Sequence, residues 1–346
     1  AARLLRPRPT DHVQCGPCED FAETYFLKSF AFIFPGQGSQ SVGMLDAWGD
    51  HPVVAQTLTE ASEALGEDLG LLIKEGPKET LALTTNTQPV MLVAAVAAYR
   101  VWLAETGALP AAVAGHSLGE YSALVASGVL TLTQATPLVR FRAQAMQDAV
   151  PVGVGAMAAI LGMTAAKVID GCAEAVRSFG PVSVEVVEAV NFNDAGQTVI
   201  AGSKAAVDKA CEVLKANGAK RALLLSVSAP FHSSLMQPAA EKLKEKLASL
   251  VLAAPQIPVI NNIDVAVETD LDRIRDALYR QAFGPVRWVD CVQAIKARGV
   301  TTLVECGPGK VLAGMVKRID AELTGAALYD PSSLTDVKTL LMNETA

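Results

Sequence analysis

Gly115-His116-Ser117-Leu118-Gly119 is the segment of this chain best suited to chemistry, because it has the form G-x-S-x-G. The apolar run Ala111 to Ala114 leads in as a strand, and Leu118 to Ser127 leads out as a helix. That context is a nucleophile elbow, in which a sharp turn exposes the serine oxygen and small neighbours let the backbone pack tightly. A helix that starts just after the serine turns backbone N–H groups and a positive dipole end toward an oxyanion formed there. The spacing predicts Ser117 as a nucleophile, with a structural glycine-rich turn as the alternative.

A serine nucleophile needs a base, usually histidine, and the chain has four histidines. His12 lies in an atypical N-terminal stretch, His51 sits between Asp50 and Pro52 in a polar turn, and an elbow directs the side chain of His116 away from the serine oxygen. His232 remains, in Ala229-Pro230-Phe231-His232-Ser233-Ser234, at a junction between two regions of different rhythm, where clefts form. No acid can be assigned as a third member, so a backbone or side-chain carbonyl is left to orient the imidazole. Arg142 is the other unusual residue. On a helix capped by Thr133 and running through Gln147, it shares a face with Val139 and Met146. A guanidinium among apolar residues needs an anion, either a protein carboxylate or a substrate, and the sequence leaves both open.

The elements that position these residues belong to a globular chain. Hydrophobic residues make up 51% of the 346 and charged ones 19%, enough for a large α/β domain carrying a smaller insert. The longest apolar run, near Val90 to Tyr99, falls short of the roughly 20 residues that span a bilayer, so no membrane partner is expected. A net charge of −7 argues against nucleic acid. Of six cysteines, Cys172, Cys211, Cys291 and Cys306 lie in apolar segments and read as buried thiols of a reducing compartment. Cys15-Gly16-Pro17-Cys18 has a redox spacing, but no strand precedes it, and with His12 a metal site lacks a fourth ligand. Residues 1–28, with Arg3, Arg6, Arg8, Pro7 and Pro9, read as a disordered extension or a cloning or targeting remnant.

The fold begins at Ser29 with a strand over Phe30 to Phe34, followed by Pro35-Gly36-Gln37-Gly38-Ser39-Gln40. A dinucleotide loop fails at Ser41, where G-x-G-x-x-G needs its third glycine. A P-loop at Gly309-Lys310 fails at Val304 and Val311. Residues 153–227 change rhythm: strand Ala156 to Leu161, helix Thr164 to Ser178, strand Val182 to Asn191, strand Thr198 to Ala201, helix Ala205 to Ala216 and strand Ala222 to Val227. That βαββαβ order is the ferredoxin-like pattern. The expected organisation is therefore a parallel-sheet α/β domain over 29–152 and 228–346, with a ferredoxin-like domain of residues 153–227 inserted. Pro258-Val259-Ile260 and Thr302-Leu303-Val304 supply later strands of the large domain.

From about Phe30 to its end the chain resembles the malonyl-CoA:acyl-carrier-protein transacylases of type II fatty acid synthesis. The motifs are Phe34-Pro35-Gly36-Gln37-Gly38-Ser39-Gln40, Thr87-Gln88-Pro89, Gly115-His116-Ser117-Leu118-Gly119-Glu120-Tyr121-Ser122, Val190-Asn191-Phe192-Asn193 and Pro230-Phe231-His232. They continue with Val259-Ile260-Asn261-Asn262, Arg280-Gln281 and Glu305-Cys306-Gly307-Pro308-Gly309-Lys310. The resemblance implies a hydrolase-like large domain, Ser117 as the acylated nucleophile, and His232 as its base, oriented by a carbonyl of Gln281. It implies an oxyanion hole from the N–H groups of Gln37 and Leu118, and a pocket in which Arg142 grips the malonyl carboxylate beside Gln88. Phe231, before the histidine, implies an unbranched acyl group. The implied partners are malonyl-CoA and acyl carrier protein, with no cofactor or metal, in a cytoplasmic monomer; residues 1–28 leave organellar import open. Lys310, Lys317 and Arg318, or Lys215, Lys220 and Arg221, offer an acidic carrier protein a basic patch. A serine thioesterase or esterase, and a docking protein without chemistry, are the competing readings.

Overall fold

The computed structural model describes residues 27–342. Its central strand β1 (Phe30–Phe34) is buried along its whole length, as a continuous apolar run in a parallel sheet must be. Four helices follow: α1 (Pro52–Leu65), α2 (Leu69–Glu75), α3 (Lys78–Leu81) and α4 (Thr84–Thr106). Strand β2 (Ala112–Gly115) runs into α5 (Gly119–Ala126) and α6 (Leu132–Ala149). Next come β3 (Gly155–Leu161), α7 (Ala165–Arg177), β4 (Val187–Asp194), β5 (Gln197–Ser203), α8 (Lys204–Ala216) and β6 (Arg221–Leu224). The chain then forms α9 (Gln237–Ala248), β7 (Val259–Ile260), α10 (Leu271–Gln281) and α11 (Trp288–Ala297). It closes with β8 (Thr302–Cys306), α12 (Val311–Ile319), β9 (Thr324–Leu328) and α13 (Pro331–Leu341).

Two sheets result. The larger has the order β7-β2-β1-β8-β9, and its pairings are all parallel. The smaller, β4-β5-β3-β6, is antiparallel. Alternation along β1 divides the core. Phe30, Phe32 and Phe34 face the cluster that contains α4, whereas Ala31 and Ile33 face Trp288, Val292 and Leu303. On the first side Tyr99 and Trp102 meet Phe32 edge-on, with ring centroids at 5.8 and 5.6 Å. Helix α4 is long and apolar enough to cross a membrane by length and composition, yet 83% of its most apolar window is buried within the fold. It is a core helix, apolar on all sides because protein covers it.

Several details differ from expectation. The strand predicted from Val182 starts at Val187; Val182 and Val184 are 93% and 89% exposed, because the ladder with β5 begins at the Val187–Gly202 pair. Helix α6 is capped by Thr131 rather than Thr133, through a capping box with Gln134. Leu27 and Lys28 already pair with Met342 and Leu341, two residues before the expected start of the fold. The Cys15–Cys18 pair and His12 lie outside the described residues. The smaller sheet is joined to the rest of the fold where Val286, just before α11, donates to Val190 and accepts from Phe192, at 2.8 and 3.0 Å, and where Arg318 on α12 pairs with Asp194 at 2.7 Å.

Backbone packs very closely at the end of β2. A Cβ on Gly115 would collide with the backbone of Gly119, and one on Gly119 with the carbonyl oxygen of Phe34. Gly119→Ala therefore destabilises the protein by about 3 kcal/mol or more, whereas Gly314→Ala, with open space at its Cβ on α12, is neutral or stabilising by up to about 1 kcal/mol. Urea unfolding of the two variants checks this; equal stabilities would refute the close approach.

Candidate active site

Ser117 stands in the turn between β2 and α5 with φ 55°, a left-handed conformation that costs a non-glycine residue about 1–2 kcal/mol. The turn is held from below: Ser117 N–H donates to Asn262 Oδ1 at 2.8 Å, and Asn262 Nδ2 donates to the Gly115 carbonyl at 2.7 Å. The next amide, Leu118 N–H, donates to no acceptor among the described residues, and neither does Gln37 N–H. Gln37 follows β1 and is anchored through Oε1, which accepts from Thr84 Oγ1 at 2.7 Å.

His232 also has a positive φ, 66°. Its Nε2 lies 2.6 Å from Ser117 Oγ and its Nδ1 2.8 Å from the backbone oxygen of Gln281. A carbonyl oxygen only accepts, so Nδ1 carries the proton and Nε2 is free to take one from the serine. Burial, and then the nearby charge of Arg142, push the imidazole down to about 3 from its ordinary 6.5. His116 points elsewhere, as an elbow requires: its Nε2 lies 2.9 Å from Asn193 Oδ1.

Arg142 is 1% exposed, and no carboxylate lies within ion-pair distance of it among the described residues. Nη1 donates to Gln88 Oε1 at 2.9 Å, and Nη2 to Gln281 Oε1 at 3.0 Å and to Ser117 Oγ at 3.3 Å. The guanidinium carbon sits 5.4 Å from the centre of the Tyr121 ring, and Nε has no hydrogen-bond partner among the described residues. Of the two anions the sequence left open, a structural carboxylate is thereby removed. Burial lowers the guanidinium's affinity for its proton, and neutral amide oxygens supply its first contacts.

These groups line one cavity of about 600 Å³, walled by Gln37, Ser117, Arg142, His232, Phe231 and Met157. Ser117, His232, Arg142, Gln37 and Phe231 thus meet in it; Gln88 and Gln281 reach it through Arg142, and Leu118 through its backbone. Sequence reasoning missed Asn262 and Glu120, whose Oε2 accepts from Asn262 N and Gln281 Nε2, both at 3.0 Å. It also missed the Gln281 side chain. A carboxylate in an apolar helical segment was the available signal for Glu120. Among the basic candidates Arg318 is committed to Asp194 and Lys310 lies over the Tyr329 ring; Lys215, Lys220, Arg221 and Lys317 are exposed. No group of three or more His, Cys, Asp or Glu side chains is placed to hold a metal ion among the described residues.

The acyl transferase domain family matches residues 31–327. A malonyl CoA-acyl carrier protein transacylase of Escherichia coli K12 is 52% identical over 309 residues, covering 89% of this chain and 98% of the relative. An acyl-carrier-protein S-malonyltransferase of Burkholderia pseudomallei, known from a crystal structure, superposes with a TM-score of 0.87 at 62% identity, covering 90% of this chain and 100% of that one. A malonyl-transacylase solved in complex with a type II PKS acyl-carrier protein superposes at 0.86 with 48% identity, covering 89% and 98% of the two chains.

With an imidazole that stays neutral down to about 3, the base form is present throughout the neutral range. Labelling of Ser117 by an uncharged fluorophosphonate is therefore flat from about pH 5 to about pH 8 and falls only at lower pH. A limb centred near the ordinary histidine value of 6.5 in that rate would contradict the buried environment described for His232.

Proposed function

Since the chain belongs to the acyl transferase family, we propose that it moves a malonyl group from malonyl-CoA to the phosphopantetheine thiol of an acyl carrier protein, supplying extender units for fatty acid synthesis. The observation that carries this reading is Arg142, buried without a carboxylate, with Nη2 3.3 Å from the oxygen of Ser117. A guanidinium so placed pairs in fork geometry with the free carboxylate of a malonyl group whose thioester carbon is at Ser117. Acetyl-CoA has no such charge and leaves the site's polar groups unpaired.

The chemistry is ping-pong. Ser117 Oγ attacks the thioester carbon while its proton passes to His232 Nε2. The oxyanion is held by the N–H groups of Leu118 and Gln37, which have no other acceptor among the described residues. On collapse the C–S bond breaks, His232 returns the proton to the sulfur, and coenzyme A leaves; malonate stays as an ester of Ser117. The carrier thiol then attacks the ester, giving its proton to His232, which passes it to Ser117 Oγ as the C–O bond breaks. Gln281 orients the base with a neutral carbonyl, so no anion stabilises the imidazolium. The substrate carboxylate supplies part of that help. Once paired with Arg142 it cancels the positive charge that disfavours protonation of His232.

The reaction as written needs no cofactor. Phe231, on the pocket wall, is the residue we take to favour an unbranched acyl group. We divide the chain into a catalytic unit of 29–152 and 228–346 and a ferredoxin-like unit of 153–227, and take the protein to act as a monomer. The four described cysteines are free and buried, which suits a reducing, cytoplasmic setting. Intact-protein mass after brief incubation with malonyl-CoA tests the reading. A malonyl adduct is expected that is absent in Ser117→Ala, persists in buffer, and is removed by holo acyl carrier protein. An adduct that hydrolyses at once would make the protein a thioesterase, and no adduct would leave a docking protein.

A further inference from the structure

Glu120 takes no part in the steps above, yet it is 2% exposed and lies one layer behind both working groups. Burial pushes its carboxyl up to about 7, against bonds from Gln281 and Asn262 and the field of Arg142, which favour the charged form. An apolar side chain would fill this position without that desolvation cost. What the carboxyl does follows from hydrogen-bond polarity. A glutamine amide has a donor end and an acceptor end of nearly the same shape. In Gln281 the donor end Nε2 meets Glu120 Oε2 and the Ser117 carbonyl, both at 3.0 Å, and the acceptor end Oε1 meets Arg142 Nη2 at 3.0 Å. Glu120 Oε2 also accepts from Asn262 N–H at 3.0 Å, so it faces Gln281 as an acceptor, draws Nε2 toward itself and turns Oε1 toward the guanidinium.

We propose that Glu120 is a positioning residue for substrate selection: through the Gln281 amide it holds Arg142 in the orientation that grips the acyl carboxylate. It acts on Arg142 more than on the nucleophile. Asn262, its other partner, keeps its bonds to Gly115 and Ser117, and the Gln281 carbonyl that orients His232 belongs to the backbone. Charge alone gives the opposite expectation, since removing an anion near Arg142 would strengthen its attraction for a substrate carboxylate. The sign of the effect on KM therefore decides between positioning and charge.

This inference rests on the reading of Arg142 as a carboxylate clamp, so wild-type protein is measured beside the variants. Glu120→Leu removes the acceptor, and Glu120→Gln keeps an amide oxygen able to accept from both N–H groups. The expected result is a malonyl-CoA KM raised about tenfold or more in Glu120→Leu, fluorophosphonate labelling of Ser117 within about twofold of wild type, and KM largely restored in Glu120→Gln. Should Glu120→Leu fail to fold, Glu120→Ala removes the same acceptor, leaves the Gln281 contact to Arg142 in place, and should raise the malonyl KM in the same way. An unchanged or lowered malonyl KM in a folded variant, or equal losses toward malonyl-CoA and fluorophosphonate, would overturn the proposal. A wild-type protein that does not prefer malonyl-CoA to acetyl-CoA would instead overturn the functional reading.

Discussion

The site depends first on how closely two pieces of backbone pass. Gly119 lies against the carbonyl of Phe34 and Gly115 against Gly119, so the turn after β2 can be sharp enough to hold Ser117 at φ 55°. Strain of that kind persists only where the surroundings over-determine it. Here they include a parallel pairing on each side of β2, helix α5 starting two residues later, and Asn262 bonded to both sides of the turn. The same geometry gives the turn its chemistry. Because Asn262 occupies the N–H of Ser117, the proposed oxyanion donor in the turn is the Leu118 amide. The end of β1 brings Gln37, the second proposed donor, to the same mouth.

Around that turn the charge balance is unusual. Arg142 brings a full positive charge into a buried pocket and is met by the oxygens of two glutamines and a serine. The network continues outward. Gln88 Nε2 reaches Thr84 Oγ1 at 3.5 Å, and Thr84 donates to Gln37, so the proposed clamp and the proposed oxyanion loop share one chain of polar contacts. A cation solvated by neutral amides binds an anion more readily than one already paired with a carboxylate, because no resident anion has to be displaced. Burial, and after it this cation, keep the neighbouring imidazole neutral. In this reading the charge of the incoming acyl group both selects it and prepares the base.

Much of this was legible in the residues. The elbow announces itself because its parts are contiguous: strand, G-x-S-x-G and helix follow one another. His232 emerged because so few histidines compete, and Arg142 because a helical period set it among apolar neighbours. The supporting layer was less legible for a physical reason: its bonds are tertiary. Glu120 and Asn262 are 142 residues apart, and Gln281 and Arg142 are 139 apart. No local pattern says which amide faces which carboxylate. The start of β4 was misjudged because Val182, Val184 and Val186 alternate like a strand but have no partner ladder until Val187 pairs with Gly202. Membrane length in α4 is a similar case, where apolar composition reflects burial in protein.

The central claim is that Arg142 selects the acyl group by its carboxylate, and it is tested most directly by comparing kcat/KM for malonyl-CoA and acetyl-CoA in wild type and Arg142→Ala. Wild type should favour malonyl-CoA, and the variant should lose about a hundredfold or more toward malonyl-CoA while changing little toward acetyl-CoA, so that the preference collapses. A variant that retains the malonyl preference, or that loses both substrates equally, would contradict the account.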